Sequence, residues 1–97
     1  MAVQWNTHKN KKLVEAFMSV NTGEQMQSFL RDLLTEDEIG ECANRFHVAA
    51  LLSEGVSYVD IEKETGMSST TIARISKWLH EGAGGYRAIL AKVHSGK

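Results

Sequence analysis

The chain has 97 residues, 42% of them hydrophobic, and eleven Lys and Arg against twelve Asp and Glu leave a net charge of −1. That length suits one small helical domain spanning residues 1–97, whose core is modest enough for association to add burial. The single Cys42 excludes an internal disulfide framework, no proline interrupts helices, and no apolar run approaches the roughly 20 residues of a membrane span. The start, MAVQWNTHKNKK, lacks the apolar centre of a signal peptide, so the expected setting is soluble and cytoplasmic, without a membrane partner.

A first helix is expected from about Thr7 to Val20, with Leu13, Val14, Phe17 and Met18 as its apolar stripe. Lys9, Lys11 and Lys12 crowd its first turns, where cations oppose the helix dipole. A solvated, frayed end accounts for this run better than a basic arm touching DNA backbone. Asn21-Thr22-Gly23 breaks the helix, and Thr22 with Gln25 forms a capping box for the next. There Met26, Phe29, Leu30, Leu33 and Leu34 recur at i, i+3, i+4, i+7 and i+8, a wide apolar face. Thr35 and Glu38 open the longest helix, which runs to about Glu54 and stops at Gly55. Its inner face is expected to include Ile39, Cys42, Ala43, Phe46 and Ala50, and the small residues on several sides make it read as central.

Residues 57–79, SYVDIEKETGMSSTTIARISKWL, read as two short helices around a tight turn. Ser57 caps the first, with Asp60 three residues on. Ile61 faces inward with the stem of Lys63 or Thr65, Gly66 takes the left-handed stop, and Met67 plugs the corner. Ser68 or Ser69 caps the second helix, whose Ile72, Ile75 and Leu79 share one face of a 3.6-residue period. The other face carries Thr70, Thr71, Ala73, Arg74, Ser76 and Lys77, small hydroxyls and cations with no acid between Gly66 and His80. This is helix-turn-helix grammar, and its outer face suits a polyanion better than an ordinary helical corner requires.

After the motif, His80-Glu81-Gly82-Ala83-Gly84-Gly85 reads as a helix stop and a turn. A phosphate-cradling loop would need a preceding strand and a following Lys-Ser/Thr, which are missing. Tyr86, Ile89, Leu90 and Val93 mark a last amphipathic helix, making six helices and no strand. The charge divides by region: residues 24–65 carry ten acids against three bases, and residues 66–97 five bases against one acid. Basic charge therefore gathers in the second motif helix and the tail. His8, His47, His80 and His94 share no metal-ligand spacing with each other or with Cys42. Cys42 reads as a small core residue, His47 as partly buried or bridging, and Glu36, Asp37, Glu38 and Glu41 as capping charge on a solvated face. No catalytic constellation emerges, and no enzyme activity, metal or cofactor is expected.

Leu34-Thr35-x-Asp37-Glu38, Arg45 ten residues after the threonine, Gly55, Ser57, Gly66 and Thr71-Ile72-x-Arg74 together resemble the tryptophan repressor family over residues 30–80. Leu79-His80-Glu81-Gly82-x-Gly84-Gly85-Tyr86 is more similar to its TrpR-like YerC/YecD-type branch. The resemblance implies an intertwined six-helix homodimer that binds double-stranded DNA and regulates transcription from a palindromic operator. Thr70, Thr71 and Ala73 would then lie nearest base edges, while Ser68, Ser69, Arg74 and Lys77 hold phosphates.

The resemblance also implies an effector pocket involving Leu34, Thr35, Arg45, Thr71 and Arg74, in which two arginines sandwich the corepressor indole. The family's glycine after the second arginine is Ile75 here, and a serine that helps hold the ligand amine is Trp78. These bulky residues are expected to occlude the slot, so that free tryptophan is not the corepressor and any small-molecule effector is another one. A rival reading comes from Asp60, Glu62 and Glu64 on the first motif helix, acids that phosphate would repel. In it, the motif and Trp78 serve protein interaction without specific DNA binding.

Overall fold

The structure, a computed structural model, describes residues 2–95; the His94 side chain and Lys97 lie outside the described residues. Six α-helices follow one another, with no strand among the described residues: α1 (His8–Met18), α2 (Gly23–Leu33), α3 (Glu36–Ser53), α4 (Tyr58–Thr65), α5 (Ser69–Glu81) and α6 (Gly85–Ser95). The all-α, six-helix expectation holds.

The starts follow from short hydroxyl side chains that satisfy N–H groups left over at a helix end. Thr7 accepts from the Asn10 amide at 3.2 Å, Thr22 from Gln25 at 3.1 Å, Ser57 from Asp60 at 3.2 Å and Ser68 from Thr71 at 3.2 Å. Ser68, rather than Ser69, is therefore the cap of α5. At α2 the reciprocal arm is displaced by one residue: Gln25 Oε1 accepts from the Asn21 amide at 2.9 Å, not from Thr22.

The chain divides into two compact units, one ending at Glu36 and one beginning at Asp37. In the first, Phe17 and Phe29 meet edge to face, 5.2 Å between centroids, and join α1 to α2. Neither helix contains a buried residue. Leu13, Val14, Leu33 and above all Met18 (79% exposed) present apolar surface to solvent.

In the second unit the core consists of Val48 and Ala49 from α3, Ile61 from α4, Ile72, Ile75 and Leu79 from α5, and Leu90 from α6. Leu51, Val56, Met67 and Tyr86 pack around it, so Met67 does fill the corner of the motif. On α4 it is Thr65 that turns inward, its hydroxyl donating to the Ile61 carbonyl at 2.7 Å and accepting from the Met67 amide at 3.2 Å; Lys63 is exposed. Gly66 ends α4 at φ 74°, ψ 4°, where a Cβ would crowd the following carbonyl.

The expected inner face of α3 needs correction. Cys42 is exposed rather than a core residue, and so is Ala43. Ile39 is half-buried, contact with this unit's core cluster begins at Phe46, and the fully buried positions are Val48 and Ala49. An apolar stripe records which side of a helix prefers cover, not how far along its length the cover extends.

Two substitutions gauge this architecture by urea unfolding. Ile72→Ala, at a position with no exposed surface, is expected to cost about 2–5 kcal/mol. Gly66→Ala is expected to cost about 1–2 kcal/mol, through backbone conformation alone.

Candidate nucleic-acid interface

The side chains of α5 sort by period. Ile72, Ile75 and Leu79 are at most 3% exposed, which turns Ser69, Thr70, Ala73, Arg74 and Lys77 outward and leaves Thr71 half-buried. Ser68 stands exposed at the cap, and its hydroxyl also lies 3.0 Å from Thr71 Oγ1. The first turn of α5 contains no acid, so the partial positive charge of its amide groups is uncompensated by its own side chains. All seven residues expected to touch DNA thus lie on or beside one exposed face of one helix. Thr71 is the exception in availability, since both its amide and its hydroxyl are engaged by Ser68.

The acids of α4 are partly reoriented. Glu64 Oε2 lies 3.1 Å from His47 Nε2 on α3, and because a carboxylate can only accept, Nε2 carries the proton. His47 is a bridging residue and remains exposed. Asp60 and Glu62 are exposed on α4, as are Tyr58 and Val59.

Beside the motif, Arg45, Thr71 and Arg74 come together around a hollow of about 280 Å³, completed by Glu41, Asn44 and Met67. Glu41 Oε2 lies 3.8 Å from Arg45 Nη2, one turn apart on α3, while Arg74 makes no ion pair among the described residues. Ile75 and Trp78 do not line this hollow. Ile75 is 1% exposed because it sits one turn after Ile72 on the core face. Trp78, further along α5, lines a separate groove instead. Leu34 and Thr35 belong to the first unit, at the link between α2 and α3. Glu41, Asn44 and Met67 were not singled out for this site. The available signal was the four-residue spacing of Glu41 and Arg45, which places both on one face of α3.

The separate groove, about 470 Å³, is walled by Phe46, Trp78, Tyr86 and Ile89 over a floor of Gly82, Ala83 and Gly85. Gly82 is required there sterically: a Cβ would run into the Trp78 carbonyl oxygen, whose hydrogen bond from the Gly82 amide closes α5 at 2.9 Å. The glycine-rich segment is thus a helix stop and turn, as its composition implies. No cluster of three or more His, Cys, Asp or Glu side chains among the described residues is placed to hold a metal ion, and no helix is long and apolar enough to cross a membrane.

Comparison with known proteins places this arrangement. Residues 8–94 match the family described as Trp repressor protein. The uncharacterized protein YerC of Bacillus subtilis (strain 168) is 38% identical over 82 residues, which cover 84% of this chain and 79% of that one. A TrpR like protein from Eubacterium eligens superposes with a TM-score of 0.87 at 31% identity over 93% of both chains. A putative Trp repressor from Staphylococcus aureus does so with 0.86 at 29% over 96% of both. Together with the six-helix order and the helix-turn-helix at residues 57–79, these relationships show that the chain belongs to the Trp repressor family, in its YerC-type branch.

Proposed function

We propose that the protein is a sequence-specific DNA-binding transcriptional regulator that acts as a homodimer on a palindromic operator. The observation that carries this reading is α5, anchored by three buried residues while its exposed face offers Ser69, Thr70, Ala73, Arg74 and Lys77 without an acid in the first turn. Thr70 and Ala73 are suited to base edges, with Thr71 contributing through its methyl group. Ser68, Ser69, Arg74 and Lys77 are suited to phosphates. The homodimer is supported by α1 and α2, which bury no residue of their own and expose an apolar stripe that a second copy would cover. On this reading residues 1–97 work as one domain, and two-fold symmetry sets the half-sites about 34 Å apart.

Free tryptophan is not the corepressor in this proposal, because the family's glycine and serine beside the second arginine are replaced by the bulkier Ile75 and Trp78. Calorimetric titration with tryptophan is expected to give no heat of binding at micromolar concentration; saturable micromolar binding would refute this part of the proposal.

A second reading is favoured by α4, where Tyr58 (40% exposed) and Val59 (60%) adjoin Asp60 and Glu62, a surface suited to a protein partner. Arg74→Ala separates the two. Under the regulator reading it weakens binding to selected operator DNA, lowers the salt dependence by about one phosphate contact and leaves the dimer mass unchanged. Unaltered DNA retention, measured by filter binding across a salt series, would favour the interaction module.

A further inference from the structure

Two guanidinium groups, Arg45 from α3 and Arg74 from α5, line the same small hollow. Cations brought to one cavity favour an anion in it, and Glu41 is the carboxylate already there. It lines the hollow and lies 3.8 Å from Arg45, while Arg74 has no carboxylate partner among the described residues. The neutral polar groups bring no charge to draw an anion: the Thr71 amide donates to Ser68 Oγ, the Thr71 hydroxyl lies 3.0 Å from that same oxygen, and Asn44 is uncharged. We infer that Glu41 is a resident counter-ion that determines the ligand specificity of the Arg45–Arg74 hollow, opposing external anions by holding Arg45 and by adding its own negative charge.

Several consequences follow from charge alone. An entering anion must displace Glu41 from Arg45 or tolerate it, and a dianion such as inorganic phosphate meets about twice the repulsion of a monoanion. Arg74 remains the one cation of the pair open to a visitor. The hollow with its carboxylate therefore discriminates against highly charged anions, and without it becomes a site for them. Because Glu41 and Arg45 are exposed, the effect is strongest at low ionic strength.

The test is a titration of the whole protein with inorganic phosphate at constant low ionic strength, followed by backbone amide chemical shifts. Three forms are compared: the natural protein, Glu41→Gln and Glu54→Gln, the last removing an equal charge from an exposed residue outside the hollow. The expected result is that E41Q binds phosphate about threefold or more tightly than the other two, with shifts centred on Thr71 and Arg74, and that adding Arg74→Ala to E41Q abolishes the gain. Equal affinity in E41Q and E54Q would overturn the inference and leave an ordinary solvated helix pair. Failure of all three forms, E41Q included, to bind would overturn it as well, because the hollow would then not be an anion site. No DNA enters the measurement, so its outcome is independent of the regulator reading.

Discussion

The burial of Ile72, Ile75 and Leu79 against Ile61 of α4 and Val48 and Ala49 of α3 is the constraint on which the candidate interface depends. Each such side chain contributes about 1.5–3 kcal/mol when removed from water. The directional consequence matters more than the sum. With three positions of one helical face locked inward, the remaining face cannot rotate, and Arg74 and Lys77 are held outward without an ion pair among the described residues. Gly66 supplies the other half of the constraint. Its left-handed backbone lets α4 stop and α5 leave in a new direction within three residues.

The motif was legible because several independent signals agreed on it: a cap, a glycine stop, a second cap and a clean 3.6-residue stripe. Other parts were less so, for identifiable reasons. Cys42 was assigned to the core because it continues a stripe, yet that stripe meets its unit's core only from Phe46 onward. Ile75 is a core residue, as its spacing from Ile72 implies. Trp78 stands one turn beyond Arg74 but lines another cavity, a distinction of position along the helix that angular periodicity does not contain. Glu41 looked like one of several surface acids. Its partner on α3 could be found from spacing, whereas its company with Arg74 needed the fold.

The acidic middle of the chain looks unfavourable for approaching phosphate when charges are only counted. The structure distributes that acidity unevenly. Glu64 is directed to His47 and Glu41 to Arg45, both on α3. Exposed pairs of this kind contribute only about 0.2–1 kcal/mol to stability, so they are better understood as orienting carboxylates than as supports of the fold. On α5 itself, the exposed face carries Arg74 and Lys77 with no acid before Glu81 in the last turn.

The two tryptophans fall one in each unit: Trp5, 62% exposed, beside Lys11 and Val14, and Trp78, 45% exposed, in the groove with Phe46 and Tyr86. Both indoles are therefore partly solvent-facing in the isolated chain and open to a collisional quencher. Whatever covers either unit changes the optical signal of that unit's own indole. Replacing one tryptophan at a time makes the two signals separable, so the chain carries a built-in means of telling association through its first helices from occupation of the groove beside α6.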